Sequence, residues 1–441
     1  MTALFSGTFA RGGAATAVSD SAWFDALLDV EAALARAAAA TGLVPTTAAD
    51  AVTRACAGPA GLDLATVVAR AADAGNPVPP LVRVLQDAVG ERDAVAVHVG
   101  ATSQDVLDTA LVLLARRAIS AIDRDLAAAA EAAAGLASAH RDDVVMGRTL
   151  MQQALPTTFG LKAAGWLSGL DGARLRLAEV VASLPVQYGG AVGTLVASDG
   201  SGTLLREALA AELGLVAPAV PWFTVRLPIA DLAGALGATA GVLATVAVDV
   251  VLMAQSEVAE VAEGGAGRGG SSAMPHKRNP VAAISARACA RRAPGLVATL
   301  LAAMEQEHER AAGAWHSEWP ALTDLLVSVG SAAAWLTESL SGLRPDTSRM
   351  AATVMAARDP ELAGALAAAL APALGHGPAH DEAAAAVREA EASGRSLADV
   401  IAGRDDVDLG ALLGGGPDVG EAGAQVDAVL AEHVRLTEGE R

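Results

Sequence analysis

Aromatic side chains are scarce in this chain, with six tryptophans, five phenylalanines and one tyrosine among 441 residues. Sheets draw much of their cross-strand packing from aromatic and β-branched residues, so the shortage disfavours a β-sandwich or barrel. Alanine supplies much of the 53% hydrophobic content, and alanine loses no side-chain entropy in a helix and lets helices approach closely. The composition predicts an all-α protein. Positive charge is also short. A net charge of −19 leaves no basic surface of the kind that phosphate backbones require, which argues against nucleic acid as a partner.

Cysteine is nearly absent. Cys56 and Cys289 have neither metal-ligand nor redox spacing, and two unpaired thiols suit a reducing cytoplasm. The first residues, MTALFSGTFARGG, lack a charged region followed by a long apolar run, so no secretion signal is expected. The one segment approaching membrane-span length is LAGALGATAGVLATVAV at 232–248. Its alanines, glycines and interspersed threonine predict a helix buried on all sides in a bundle, and no membrane partner.

From Asp20 to Ala40, Trp23, Leu27, Val30 and Leu34 recur at three- and four-residue steps. This is an amphipathic helix with Ser19 or Asp20 as its N-cap. Breaks at Pro45, Pro59 and the NPVPP run at 76–80 make residues 1–103 an N-terminal helical domain. Five stretches, about 104–140, 155–183, 228–262, 280–312 and 320–340, can stay helical throughout. At 1.5 Å per residue such helices reach roughly 30–50 Å, so residues 104–345 are expected to form a long-helix bundle with apolar faces for other subunits. His376 and His380 between helices and a GGGPD turn at 414–418 mark 346–441 as a small C-terminal helical domain.

Residues 263–280, EGGAGRGGSSAMPHKRNP, concentrate what the rest of the chain lacks. GAGRGG at 265–270 satisfies G-x-G-x-x-G, a dinucleotide fingerprint that has meaning only between a strand and a helix. The preceding VDVVLMAQSEVAEVAE has helical spacing, so a helix is expected to enter the glycines and the fingerprint loses its context. No Gly-Lys dipeptide exists for a phosphate loop. Lysine occurs only at 162 and 277 and asparagine only at 76 and 279, yet one of each falls with a histidine in HKRN beside two serines. A plain linker would not gather them. Five glycines in 264–270 permit a loop that opens and closes. Asn279 and Pro280 read as an N-cap and first helical residue, which with the Lys277 ammonium favours an anion.

GSSAMPHKRNP at 270–280 resembles the signature of the fumarase/aspartase superfamily of lyases. HVGATSQDVLDTA at 98–110 and GRTLMQQALPTTFGLKAAGW at 147–166 match its other blocks in order. The resemblance implies a mostly helical three-domain chain and a homotetramer whose active sites are shared between subunits. It implies Ser271 as catalytic base, Lys277 and Asn279 at the carboxylate beside the abstracted proton, and His98, Thr102 and Ser103 as first-block contacts. Thr149 and Gln152 become second-block contacts, and Arg310, in EQEHERAAGAWHSEW at 305–319, the substrate-binding arginine. On their own residues, Thr149 and Ser103 could cap helices, His98 could be a core histidine, and Arg310 could be solvated surface. Whether His98 or His276 assists proton transfer stays open.

Many members read GRTH in the second block and place a glutamate five residues after the loop asparagine. This chain has Leu150 and Ile284 there. Both halves of an acid pair are aliphatic. Expelling an amine or hydroxide needs a proton donor, whereas a carboxylate, with a conjugate-acid pKa of about 4, leaves unaided. The pattern resembles the 3-carboxy-cis,cis-muconate cycloisomerase family, supported by SDSAWFDALLDVEAALARAAAATGLVP at 19–45 and the WHSEW ending of 305–319. That family forms 4-carboxymuconolactone from a tricarboxylate without cofactor or metal, in cytoplasmic protocatechuate catabolism, the β-ketoadipate pathway. An adenylosuccinate lyase-like enzyme, another substituted-succinate lyase, and a non-catalytic helical assembly remain alternatives. Ser271→Ala is expected to lower turnover by orders of magnitude with the fold intact by circular dichroism. Near-normal turnover would refute the base assignment.

Overall fold

The structure, a computed structural model, describes residues 3–58, 62, 64–196, 200–264, 269–270, 274, 277–357, 359–404, 407–408, 412 and 417–439. Ser271, His276, residues 265–268 of the glycine run, Pro59 and residues 414–416 of the expected turn lie outside them. The chain is all-α, with four short strands among the described residues.

Helices α1 (Ala3–Phe9), α2 (Gly13–Ala17), α3 (Asp20–Ala40), α4 (Thr46–Ala57), α5 (Leu64–Ala74) and α6 (Val78–Val89) come first. Next are α7 (Ser103–Ala139), strands β1 (Val144–Thr149) and β2 (Gln152–Thr158), α8 (Phe159–Ala182), α9 (Gly202–Leu213), α10 (Leu227–Met253) and β3 (Val261–Glu263). Helices α11 (Val281–Ala290), α12 (Ala293–Ala302) and α13 (Ala314–Ser341) precede β4 (Leu343–Pro345). The chain closes with α14 (Thr347–Ala356), α15 (Asp359–Leu374), α16 (His376–Ser393), α17 (Leu397–Ile401) and α18 (Ala422–Glu438). These residues cluster into two compact units, one of 1–129, 172–248 and 281–338, the other of 130–171, 249–280 and 339–441.

In the first unit, Ser19 caps α3 as expected, its hydroxyl accepting from the Ala22 N–H at 3.3 Å. Helix α3 buries Phe24, Leu27, Leu28, Val30 and Leu34 and packs on α4 and α9. Around the first half of α7, Val106, Leu107, Leu111, Leu114 and Ile122 are buried. Among them sits a fully buried ion triad. Arg226 donates from Nη1 to Asp108 Oδ2 at 2.7 Å and from Nη2 to Glu318 Oε2 at 2.5 Å. Trp315 Nε1 donates to Asp108 Oδ1 at 2.9 Å, and Gln306 Nε2 to Glu318 Oε1 at 2.9 Å.

Helix α10 departs from the expected all-round burial. Leu232, Ala233, Leu236, Leu243, Val246 and Ala247 are buried, whereas Asp231, Gly234, Ala238, Gly241 and Thr245 form an exposed stripe at three- and four-residue steps. It is long and apolar enough to cross a membrane, but a core helix of a bundle meets the same criterion.

The second unit holds the β1–β2 hairpin, with Thr149 opposite Gln152, and α14, α15 and α18 pack against it. Strand β3 pairs antiparallel with β4. Arg148 grips the buried Glu260 with two bonds of 2.7 and 2.8 Å, and His433 Nδ1 on α18 lies 2.7 Å from Asp171 Oδ2. Leu362, Leu366, Leu370, Ala383, Leu397 and Ile401 form a separate core between α15, α16 and α17.

Four expected boundaries move, each for a local reason. The helix expected over 228–262 stops at Met253, and a strand, not a helix, enters the glycines. Arg349 takes the carbonyls of Glu257 and Val258, and Glu260 turns to Arg148. The fingerprint still lacks its setting, since β3 has three residues, pairs antiparallel, and is separated from α11 by residues 264–280. The 280–312 stretch divides at Pro294, whose missing N–H cannot continue α11. Residues 152–158 form a strand before α8. His380 lies inside α16, because Pro378 in the first helical turn is tolerated there.

Removing one carboxylate from the triad, as in Asp108→Ala, should cost roughly 3–5 kcal/mol because it strips a buried guanidinium of half its compensation. Glu212→Ala, which breaks the exposed 2.7 Å pair with Arg36, should cost less than about 1 kcal/mol. Denaturant midpoints of the two variants compare these directly.

Candidate active site

In the first unit the 98–110 segment is built around buried carboxylates. Glu31 on α3, with no exposed surface, accepts from the His98 backbone N–H at 3.0 Å and lies 2.7 Å from His98 Nδ1. His98 has φ of 58°, a left-handed conformation that costs a non-glycine residue about 1–2 kcal/mol. The two bonds to Glu31 offset that strain. Thr102 and Ser103 follow at the start of α7. Asp105 accepts from the Thr102 N–H at 2.9 Å, which is one half of a capping box. Ser103 is the first residue of α7 and makes no side-chain cap bond among the described residues, and Thr149 ends a strand.

Asp105 also accepts from the N–H groups of Gly189 and Gly190, each at 2.9 Å. A Cβ at Gly189 would lie 2.4 Å from Pro221 Cγ, and one at Gly190 2.9 Å from the Gly100 carbonyl. Only glycine fits this approach. Burial pushes the Asp105 carboxyl up to about 7, against the pull of its three backbone donors and of His98. The His98 ring is pushed down by burial but raised overall by Glu31, with Asp105 adding to the effect.

Arg310 is half-buried and has no ion pair among the described residues. Its Nε donates to Gln104 Oε1 at 3.1 Å, its guanidinium lies 5.2 Å from the Phe223 ring centre, and its buried Nη2 has no partner among the described residues. Gln104 is itself fixed, since its amide donates to Asp108 Oδ2 at 3.2 Å and to the Phe223 carbonyl at 2.9 Å. The amide oxygen therefore faces Arg310. A neutral acceptor leaves the guanidinium its full charge for an anion.

The other expected residues fall in the second unit. Thr149 and Gln152 face each other across a two-residue hairpin turn in which Leu150 and Met151 both have positive φ, 51° and 68°. Leu150 is 96% exposed at the tip. Asn279 donates its backbone N–H and its side-chain amide to the Gly269 carbonyl, at 2.9 and 3.0 Å, and so clasps the two ends of the loop. This corrects the expected N-cap. Helix α11 begins at Val281, and the left-handed Gly269 turns its carbonyl toward the Asn279 amide. The Lys277 side chain is exposed and makes no ion pair among the described residues. Ile284, in the first unit, is 46% exposed.

A family model described as lyase matches residues 13–295. A 3-carboxy-cis,cis-muconate cycloisomerase from Bradyrhizobium diazoefficiens is 45% identical over 89% of this chain and 88% of its own. A nitrosuccinate lyase from Streptomyces davaonensis is 44% identical over 89% and 85%. The crystal structure of 3-carboxy-cis,cis-muconate lactonizing enzyme from Pseudomonas putida superposes with a TM-score of 0.90 at 38% identity, covering 99% of this chain and all of that one. The chain belongs to the lyase family.

The lyase-family blocks hold the residues expected at the site, but sequence reading passed over Glu31, Gln104, Asp105, Asp108, Arg226 and Glu318. Five of these lie inside stretches already matched or adjoining them. A charged residue in a long apolar setting, such as Arg226 in VPWFTVRLPIA, was the available signal. An apolar cavity of about 190 Å³ bordered by Trp23, Phe24, Leu27, Val67, Leu107 and Trp319 has Asp20 as its charged neighbour, which makes it a poor host for a polyanion.

At the clasp, a Cβ on residue 269 would lie 2.3 Å from the Asn279 carbonyl. Gly269→Ala should therefore displace Lys277 and Asn279 and lower kcat/KM by roughly 100-fold, the usual penalty for a misplacement of about 1 Å. The thermal midpoint should stay near that of the unaltered protein.

Proposed function

We propose that this chain is a 3-carboxy-cis,cis-muconate cycloisomerase, closing its tricarboxylate to 4-carboxymuconolactone in protocatechuate catabolism. The observation that carries the reading is the joint presence of aliphatic Leu150 and Ile284 where many family members use an acid pair, in a chain whose relatives include a cycloisomerase at 45% identity. In the lactonising direction a substrate carboxylate adds to a neighbouring alkene and the adjacent carbon takes up a proton. The nucleophile is an anion already, so the site needs a proton donor to carbon and cationic anchors.

Ser271 is the proposed donor to carbon, the microscopic reverse of base action. Lys277 and Asn279 bind the carboxylate beside that carbon. Arg310 and His98 hold the other carboxylates, and Thr102, Ser103, Thr149 and Gln152 line the site. The uncovered stripe of Asp231, Gly234, Ala238, Gly241 and Thr245 on α10 supports a homotetramer with helices in close contact and sites shared between subunits. The exposure of Leu150 in the single chain accords with a hairpin tip that serves a neighbour's site. The division into 1–103, 104–345 and 346–441 and a cytoplasmic setting belong to the same reading.

A second reading is elimination from a substituted succinate, favoured by the nitrosuccinate lyase at 44% identity. A nitrite leaving group departs as an anion and dispenses with the acid as a carboxylate does. Adenylosuccinate, whose leaving group is an amine, does not. The deciding assay follows loss of conjugated-diene absorbance from 3-carboxy-cis,cis-muconate, with nitrosuccinate and adenylosuccinate run in parallel. Rapid bleaching of the muconate alone is the expected outcome. Turnover of nitrosuccinate alone selects the second reading, and cleavage of adenylosuccinate overturns the inference from Leu150 and Ile284.

A further inference from the structure

We infer that Glu31 is a positioning residue that holds His98 as an imidazolium, so that His98 binds a carboxylate through Nε2–H and does not accept a proton. The inference rests on the carboxylate-binding site proposed above and assigns His98 one role within it. Its geometric basis is that one carboxylate is spent on one residue. Glu31 Oε2 takes the His98 backbone N–H and Oε1 takes Nδ1. Tautomer and ring orientation are both fixed, and Nε2 is left without a hydrogen bond among the described residues on a ring that retains 18% side-chain exposure.

A neutral acceptor would have fixed the tautomer equally well. Burying a carboxylate completely is costly unless a cation compensates it, and no lysine or arginine pairs with Glu31 among the described residues. The other titratable groups nearby do not supply that cation. On α4 the Cys56 thiol, pushed up to about 12 by burial and then by Glu31 and Asp29, stays neutral. Arg36 on α3 is bonded to Glu212. From α7, Asp105 adds negative potential at the ring, and it is anchored by backbone donors of Thr102, Gly189 and Gly190. His98 is the group left to carry the positive charge.

The direction of titration follows. Burial lowers the ring pKa and Glu31 raises it by more, so the net value stands above that of an ordinary histidine. The imidazolium therefore persists to a pH at which a solvated histidine is neutral, and Nε2 keeps its proton. A protonated ring cannot serve as a base.

The test uses full-length protein with 13C-ε1-labelled histidine, in which the His98 resonance among the eight is assigned by its loss in His98→Gln. Wild-type His98 is expected to titrate above the ordinary histidine range, and in Glu31→Gln, which keeps an acceptor for the backbone N–H, below its wild-type value. With tricarballylate as the tricarboxylate probe, Glu31→Gln should weaken binding at pH 7 by roughly tenfold, the loss of one charge-assisted bond. The alkaline fall of binding should move to lower pH. A merely structural Glu31 predicts an unchanged titration in the variant and an unchanged pH profile. A wild-type His98 that is neutral at pH 7 overturns the inference without any variant at position 31. Because neither readout uses the muconate, failure of the proposed reaction is scored separately by the absorbance assay.

Discussion

The first unit depends on one guanidinium. Arg226 is shared between Asp108 and Glu318, and all three side chains have no exposed surface. Two carboxylates on one cation leave a surplus negative charge in a low-dielectric place, which is tolerable only if other donors spread it. Trp315, Gln104 and Gln306 do so. Burial raises the Glu318 pKa against the downward pull of Arg226, so the network sits close to the limit of what its donors support. Asp108 comes from α7, Arg226 from the turn before α10 and Glu318 from α13. The triad therefore sets the relative register of three helices within that unit, which apolar alanine surfaces alone would leave loosely specified.

The side chain of Gln104, which donates to Asp108, presents its oxygen to Arg310, so the position of this guanidinium, proposed above to bind substrate, is inherited from the buried network in two hydrogen bonds. The loop proposed to be catalytic is held differently. Its described ends are clasped by Asn279 on the Gly269 carbonyl, a pair of neutral bonds between exposed or half-buried groups. Neutral exposed bonds of this kind contribute little net stability and can break and reform within a catalytic cycle. On the proposed reading, anchors tied to a buried network and loop ends joined by neutral bonds suit a site that must admit and release a polyanion.

How much of this was legible depends on whether the signal was periodic or paired. Helix α3 and its Ser19 cap, and α7 from 103 to 139, follow from three- and four-residue apolar spacing and cap chemistry, which are local. Strand β3 was read as helix because Val258 and Val261 fit a helical step. What ends α10 at Met253 is Arg349, nearly a hundred residues later, taking the carbonyls of Glu257 and Val258. The β1–β2 hairpin escaped because Leu150 and Met151 adopt left-handed turn conformations without the glycine or asparagine that usually announces them. The matched blocks pointed to His98, Thr149, Lys277 and Arg310, while Glu31 and Gln104, which orient His98 and Arg310, have meaning only through partners distant in sequence.

The state of pairing separates structural cations from those that the proposed reading leaves for substrate. Arg226 is saturated by two carboxylates and buried with them, and Arg148 binds the buried Glu260 in bidentate geometry while its own side chain stays 27% exposed. Arg310 rests on a neutral amide with a buried Nη2 unmatched, and Lys277 has no ion pair among the described residues. In a chain with fifty acidic residues and thirty-one basic ones, an unneutralised cation is a scarce arrangement, because carboxylates compete for every basic group. On the proposed reading these cations serve substrate in a chain that carries Leu150 and Ile284 where relatives place an acid pair, which describes a site strong in positive charge and poor in proton donors to oxygen or nitrogen. That combination suits an anion that attacks or leaves as an anion, and it is unsuited to expelling an amine.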